Sequence, residues 1–203
     1  MIRRLPSAVV CSFLAATAFP AAALADPGEA EVEVTVDITE IKEPGVLALT
    51  VAAGAVALQE NGSDLLVRQF SGTLPTVTVT DTRTLEEIPA GSSWAVLGSS
   101  SDFTGTTGQA PISAGHLGWK PRLLDGGDTG LVSEGEEVVT VLDEETQPGN
   151  NVGLVDQELL MSTYDSAEVT GGSYTVNAGL NLRTPADVAA GSYRATLTLS
   201  LFE

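Results

Sequence analysis

Strict alternation of apolar and polar residues recurs along this chain, and it constrains the fold more than any other feature. In the clearest run, Tyr193, Ala195, Leu197, Leu199 and Leu201 alternate with polar or charged residues. Alternation with a period of two predicts a strand with one buried face and one solvated face. No stretch of helical length carries a convincing apolar face with a 3.6-residue period. The sequence therefore predicts β-structure.

The same alternation occurs in four earlier segments of the chain. Their apolar positions are Val32, Val34, Val36 and Ile38; Leu47, Leu49 and Val51; Val77 and Val79; and Tyr174, Val176, Ala178, Leu180 and Leu182. The 21 glycines and 10 prolines separate such runs at turn positions. We therefore expect an all-β fold, a β-sandwich or a β-barrel-like single domain.

A ten-residue segment is repeated one hundred positions later. Residues 83–92 align without gaps to residues 183–192: both begin Arg-Thr, both end Ala-Gly-Ser, and both keep an acid followed by an aliphatic residue. Each copy follows an alternating run and precedes an aromatic residue, Trp94 or Tyr193. We interpret the pair as a structural device that leads the chain into a strand. Chance similarity between two glycine-containing turns is the alternative.

The stretch between the two repeat halves has a different character. Residues 99–150 contain several glycines with acids between them, and only Val138–Leu142 has the pattern of a strand. We expect long loops here, within the same domain.

The first 25 residues have the features of a secretory signal peptide. Arg3 and Arg4 precede an apolar stretch that ends in Ala23-Leu24-Ala25, a small-x-small cleavage site. The stretch is too short and too rich in alanine for a confident membrane span. The sequence predicts an exported protein with a signal peptide at residues 1–25, a flexible N-terminus at 26–30 and a β-domain at 31–203.

Charge and cysteine content narrow the possible functions. Cys11 lies within the predicted signal peptide, so the exported domain is expected to fold without disulfides. Removal of Arg3 and Arg4 leaves 27 acidic against 7 basic residues, a net charge of −20. A chain with this charge lacks the basic stripe that neutralises phosphates, so nucleic acid is not an expected partner.

The residues that could carry catalysis form no recognisable constellation. His116 is the only histidine, and the chain has no nucleophile elbow, phosphate loop or zinc motif. The segment Asp125-Gly126-Gly127-Asp128 superficially suggests calcium but lacks the ligand spacing of an EF-hand, which leaves a solvated acidic loop as the favoured interpretation. Two acids could serve a glycosidase, but 27 acids make such pairs unspecific. We therefore predict no enzymatic activity, no metal site and no cofactor.

Two tryptophans remain as candidates for binding. An indole ring suits a core, and it also suits a β-sandwich surface on which sugars stack. Burial is the safer expectation for each of Trp94 and Trp119, and stacking on glycan is the functional alternative.

Three segments together resemble the WxL domain of Gram-positive surface proteins, in its actinobacterial form. They are Ser92–Gly105, which begins Ser-Ser-Trp-Ala-Val-Leu-Gly; Leu117-Gly118-Trp119-Lys120-Pro121; and Ala189–Leu201. The resemblance spans roughly residues 31–202. It implies an exported β-rich domain that associates non-covalently with the cell wall, through peptidoglycan or a partner surface protein, and it implies no enzymatic activity.

The family's two Trp-x-Leu motifs fall on Trp94-Ala95-Val96 and on Leu199-Ser200-Leu201. Here Val96 replaces the first motif's leucine and Leu199 replaces the second motif's tryptophan. The resemblance makes Trp94, Val96, Trp119, Leu199 and Leu201 the candidate binding residues. Two other functions stay open: an assembly subunit that pairs with another surface protein through a sheet edge, and a small secreted glycan hydrolase.

Overall fold

A computed structural model describes residues 34–38, 43–125 and 129–203 of the chain. Of these, residues 43–125 and 129–203 belong to one compact unit, and residues 34–38 belong to another. The predicted signal peptide at 1–25 and the predicted flexible N-terminus at 26–30 lie outside the described residues, as does most of the Asp125–Asp128 loop.

The described part of the compact unit is built almost entirely from strands. They are β1 (Leu47–Val51), β2 (Gln59–Glu60), β3 (Val67–Thr73), β4 (Val77–Asp81), β5 (Ala95–Ser100), β6 (Thr104–Gly105), β7 (Leu117–Asp125), β8 (Val132–Glu134), β9 (Glu158–Thr163), β10 (Ser173–Pro185), β11 (Tyr193–Arg194) and β12 (Leu197–Phe202). Two three-residue 3-10 helices, Ala114–His116 and Ser166–Glu168, lie between them. Within the described residues, no helix is long and apolar enough to cross a membrane.

The strands form curled antiparallel sheets that together make a half-barrel. The larger sheet has the order β1-β4-β10-β3-β2, and β7 also pairs with the long strand β10. The second sheet has the order β12-β5-β9-β8, and β11 pairs separately with β6. The prediction of a single all-β domain is confirmed.

The repeated segments lie at two of the crossings from the larger sheet to the second sheet. Residues 83–92 connect β4 to β5, and residues 183–192 connect β10 to β11 and β12. β4 lies beside β10 in the larger sheet, and β5 lies beside β12 in the second sheet. The two copies of the repeat therefore start at neighbouring strands and lead to neighbouring strands. Gly91 and Gly191 both have a positive φ, of 73° and 150°, which explains why each copy keeps a glycine there.

Alternation predicted the central strands well. β1, β4 and β10 lie where the pattern indicates them, and in β4 the valines are buried while the intervening threonines are half-exposed. The last run divides into β11 and β12 because Tyr193 and Arg194 pair with β6, whereas Leu197–Phe202 pair with β5. The sequence pattern does not show this change of partner.

Two strand predictions are wrong. Residues 34–38 have no strand conformation, and Val34, Val36 and Ile38 are 77–88% exposed. Val138–Leu142 contributes only an isolated bridge from Val138 to Trp119. Conversely, β7 was not predicted, because glycine and proline interrupt its alternation. A strand needs a partner as well as a pattern, and only the tertiary structure supplies that partner.

The core lies between the two sheets and includes the largest side chains of the domain. Trp94 and Trp119 are each 1% exposed, and they share the core with buried aliphatic residues of β4, β5, β9 and β10. Burial of such side chains contributes roughly 1.5–3 kcal/mol each to folding.

Candidate functional site: an open apolar groove

A groove of about 1210 Å³ opens between the two sheets on one side of the domain. Its walls come from the end of β1, the loop that follows β1, β3, the start of β12 and the segment that precedes β12. The apolar side chains on these walls include Leu49, Val51, Val56, Leu58, Phe70, Leu74, Val188, Tyr193, Ala195, Leu197 and Leu199. Binding sites are concave and lined mostly by apolar side chains, and the groove has both properties.

Two edge strands border the groove. In the part of the chain that the structure describes, β1 pairs only with β4, and β12 pairs only with β5. Each therefore presents one side of its backbone without a neighbouring strand. Such edges can bind another extended chain through main-chain hydrogen bonds.

The loop after β1 gives the groove an exposed apolar rim. Residues 51–57 read Val-Ala-Ala-Gly-Ala-Val-Ala, and each of them is exposed; Val51 and Val56 are 43% and 42% exposed. The loop is held against β3 at Gly72, where a Cβ would approach Leu58 Cδ2 to 2.7 Å and Val56 Cγ2 to 3.5 Å. Large contiguous exposed apolar surfaces on soluble proteins mark interaction sites.

The groove differs in charge from the rest of the molecule. Arg68 and Arg194 are the charged residues among its lining, and no Asp or Glu is among the described residues that line it. Arg68 Nη2 lies 2.9 Å from Glu60 Oε2, and its guanidinium lies 5.2 Å from the centre of the Phe70 ring. Glu60 therefore balances the charge of Arg68, and the groove is an apolar site whose described lining carries no acid in a chain with 27 acids.

An ion cluster joins β4 to the end of β12, away from the groove. Asp81 is the last residue of β4 and pairs with Leu47 at the start of β1, and Glu203 follows the last residue of β12. The guanidinium of Arg83 bonds both carboxylates, with Nη2 2.7 Å from Asp81 Oδ2 and Nη1 2.6 Å from Glu203 Oε1. Asp81 and Arg83 are buried, whereas Glu203 is partly exposed. The cluster therefore fixes the end of β12 to β4, the strand that pairs with β1.

Hydrogen bonding decides the pKa of Asp81 in this cluster. Burial alone raises the pKa of a carboxyl group, but the side-chain and backbone hydrogen bonds from Arg83 outweigh it and hold the pKa of Asp81 below its ordinary value. The Asp81 hydrogen bond in turn raises the pKa of Arg83. Asp81 and Arg83 are therefore both charged at neutral pH.

The structure places both tryptophans away from solvent. The Trp94 ring packs against Tyr174 with centroids 6.0 Å apart, and the Trp119 ring lies under Gly98. Neither indole Nε1 has a hydrogen-bond partner among the described residues, so the two rings act through apolar packing. Both tryptophans are buried, as expected. The alternative, in which these rings stack on glycan, is wrong, because a ring that is 1% exposed has no face free for a ligand.

The other three candidate residues come together on paired strands. Val96 of β5 lies opposite Leu201 of β12, and Gly98 lies opposite Leu199. Val96 is fully buried, whereas Leu199 and Leu201 are half-buried. Leu199 lines the groove, so one of the five sequence-predicted residues lies in the candidate site. The loop at residues 51–57 was missed, although its unbroken apolar run between two strands was a visible signal.

The polar residues around His116 make structural contacts. His116 ends a 3-10 helix, and its Nδ1 lies 2.7 Å from the carbonyl oxygen of Arg183. The Arg183 side chain forms an ion pair with Asp143, which also accepts hydrogen bonds from Thr140. Within the described residues, no group of three His, Cys, Asp or Glu side chains could hold a metal ion.

A smaller cleft of about 320 Å³ carries the acids that the groove lacks. Glu136, Glu137 and Glu158 are among its lining residues. Burial and the neighbouring charge of Asp156 raise the pKa of Glu158. Glu137 forms a salt bridge with Lys120, with 3.3 Å between Oε2 and Nζ. The volume of this cleft is about a quarter of that of the groove.

In comparisons with known proteins, no family model matches this chain, and no curated protein or solved structure shows significant similarity to it. The resemblance to the WxL domain therefore stays a prediction made from the residues.

Proposed function

We propose that this chain is an exported, non-enzymatic surface protein whose groove binds an extended segment of polypeptide and so holds the protein at the Gram-positive cell wall. The observation that carries the proposal is the apolar groove bordered by the edge strands β1 and β12. Addition of a strand to an open sheet edge uses main-chain hydrogen bonds for affinity and side-chain pockets for specificity. The groove offers both.

The groove favours a protein partner over direct contact with peptidoglycan. Glycan recognition on β-domains relies on exposed aromatic rings and polar groups, and both tryptophans are buried. Leucine, valine and alanine side chains line most of the groove, and these fit the apolar side chains of a peptide. The proposal therefore joins the two leading interpretations of the sequence: a wall-associated protein that is retained by pairing with a protein partner.

A retention assay with a groove variant tests this function. The purified exported protein would be incubated with walls of the bacterium that encodes it, either untreated or treated with protease, and the pelleted fraction measured. Val56→Asp places a charge on the exposed rim of the groove. Leu65→Asp is the matched control, because Leu65 is 95% exposed and lies outside the groove lining.

We expect wild type and Leu65→Asp to pellet equally with untreated walls and Val56→Asp to lose at least about tenfold in retention, which corresponds to about 1.4 kcal/mol. Protease treatment of the walls should abolish retention. Equal retention of Val56→Asp would refute the role of the groove, and retention on protease-treated walls would identify glycan as the ligand instead.

A further inference from the structure

The strand β12 ends the second sheet with an edge that has none of the usual protection against pairing. It reads Leu-Thr-Leu-Ser-Leu-Phe, and among the described residues it pairs on one side only, with β5. Proteins commonly protect such an edge with a lysine, a proline or a bulge. β12 contains no charged residue and no proline, and its register with β5 is unbroken. Its outer edge is therefore suited to accept another strand.

The hydrogen-bond pattern shows which main-chain groups of β12 face outward. The N–H of Ser101 donates to the carbonyl oxygen of Thr196 at 2.9 Å, so these two residues form a hydrogen-bonded pair at the start of the ladder between β5 and β12. Hydrogen-bonded and non-hydrogen-bonded pairs alternate along an antiparallel ladder. The main-chain groups of Leu197, Leu199 and Leu201 therefore face the free edge, and no described residue forms a main-chain hydrogen bond with them there.

The sequence of β12 is complementary to itself. When two copies of β12 run antiparallel about a twofold axis at Leu199, this residue lies opposite its own equivalent, and Leu197 lies opposite Leu201. Each of these outward-facing pairs can form two main-chain hydrogen bonds. On the other face, Thr198 lies opposite Ser200, a pairing of hydroxyl side chains that stabilises neighbouring strands. The leucine side chains of both copies then lie on one continuous apolar face, next to the groove that Leu199 lines.

The neighbouring registers lack this match. With the axis at Leu201, Leu199 lies opposite Glu203, which places an acid within the apolar face. With the axis at Leu197, Leu201 lies opposite Tyr193, which belongs to β11 and pairs with β6 instead. Only the axis at Leu199 pairs leucine with leucine at all three positions. A register is strongly specified where one face of a strand is apolar.

Charge favours this edge over the other surfaces of the molecule. The chain has 27 acids and 9 bases, so most surfaces of two copies repel each other. β12 carries no charge, and the acid that follows it, Glu203, forms an ion pair with Arg83. The remaining repulsion acts over a longer distance and is screened by salt, because the Debye length falls from roughly 30 Å at 0.01 M to roughly 8 Å at 0.15 M. Salt should therefore favour contact between two copies at β12.

We infer that two copies of this chain dimerise through β12, so that their four-stranded second sheets join into one sheet. Both copies use the same surface, so the assembly closes at the dimer. Two strands of roughly 20 Å bury less than the roughly 800 Å² per partner of a standard interface, so the dimer dissociates on dilution. The inference goes beyond the proposed function and does not rest on it. In the dimer, β1 stays free for the wall segment, and two grooves can bind the wall at once.

Charge-swap variants test both the interface and its register. Thr198→Glu combined with Ser200→Glu places glutamates opposite glutamates in this dimer, and Thr198→Lys combined with Ser200→Lys places lysines opposite lysines. Thr198 is exposed and Ser200 is half-buried, and both lie on the face of β12 opposite its leucines. Thr106→Glu combined with Thr107→Glu is the matched control, because it adds two acids at exposed positions outside β12.

Assembly would be measured on the purified exported protein by sedimentation velocity, over a hundredfold range of concentration and at low and high salt. Far-ultraviolet circular dichroism checks that each variant is folded. Wild type and the Thr106/Thr107 control are expected to form dimers and no larger species, with more dimer at high salt. The glutamate variant alone and the lysine variant alone are expected to be monomers. An equimolar mixture of the two is expected to form a dimer, because each glutamate then faces a lysine.

The other outcomes contradict the inference and separate it from the proposed function. The inference is wrong if wild type stays monomeric at every concentration and salt level, if either folded charge variant dimerises alone as well as wild type, or if their mixture forms no dimer. If wild type is monomeric and the glutamate variant loses wall retention, β12 binds the wall partner and only the proposed function stands. If wild type dimerises and Val56→Asp keeps full wall retention, the dimer stands and the proposed role of the groove fails.

Discussion

Arg83 and Glu203 are 120 positions apart in the sequence, yet Arg83 Nη1 lies 2.6 Å from Glu203 Oε1. The same guanidinium bonds Asp81 through Nε and Nη2, at 2.9 and 2.7 Å. Arg83 opens the first copy of the repeated segment, and Glu203 follows the last residue of β12. This one side chain therefore links the crossing between the sheets to β4 and to the end of β12.

Replacement of Arg83 should lower the free energy of unfolding far more than replacement of an exposed arginine. Asp81 is fully buried, so Arg83→Ala leaves an uncompensated buried charge, and we expect a loss of about 3–5 kcal/mol in the free energy of unfolding. The matched control is Arg68→Ala, which breaks an exposed pair with Glu60 and should cost about 0–1 kcal/mol. Urea denaturation at pH 7 measures both, and equal losses would show that the buried cluster is not important for stability.

The Asp81 carboxylate gives the fold a predictable dependence on pH. Its pKa is lowered in the folded state, so its contribution to stability is present above the ordinary carboxyl pKa and is lost as the pH falls through the folded-state value. We expect Asp81→Asn to be less stable than wild type by a constant amount above about pH 5, and this difference to shrink below about pH 4. Urea denaturation between pH 7 and pH 2.5 gives the difference.

The control for that experiment is Asp187→Asn, which removes one negative charge from an exposed position in the second copy of the repeated segment. It should follow the wild-type stability curve closely. A gap between wild type and Asp81→Asn that stays constant down to pH 2.5 would mean that the folded-state pKa of Asp81 is not lowered.

The sequence predicted the fold class and the central strands because alternation reports burial directly. Val77 and Val79 are buried at the positions where the pattern places them. The sequence does not show whether an alternating segment pairs with another strand. Residues 34–38 alternate in the same way as β4 but form no strand. The groove was beyond prediction for a related reason: it depends on which edges remain free when distant strands pair.

The role of Trp94 can be decided by stability alone. Its ring is 1% exposed and packs against Tyr174, so Trp94→Ala should cost about 3–5 kcal/mol in the free energy of unfolding. Tyr164→Ala is the matched aromatic control, because Tyr164 is 92% exposed and should change stability by at most about 0.5 kcal/mol. Thermal and urea unfolding measure both variants. A Trp94→Ala protein with wild-type stability would contradict the core assignment.

The last prediction concerns Gly98, which lies close to the ring of Trp119. A Cβ at Gly98 would lie 2.6 Å from Trp119 Cη2 and 2.9 Å from Leu199 Cδ2, so a methyl group there must displace a ring that is itself fixed in the core. We expect Gly98→Ala to destabilise the protein by about 1–3 kcal/mol through overpacking. Gly179 is the matched control, since it also lies within a strand and a Cβ there would meet nothing within 4 Å.

Gly179→Ala should be neutral or slightly stabilising, because alanine loses less backbone entropy on folding than glycine does. The difference between the two substitutions therefore isolates the contact with Trp119 from the general effect of alanine in a strand. Urea denaturation of both variants measures it, and near-ultraviolet circular dichroism reports any shift of the indole ring. If Gly98→Ala were as stable as Gly179→Ala, Trp119 would have room to move, and the wall of the groove at Leu199 would be less rigid than its packing indicates.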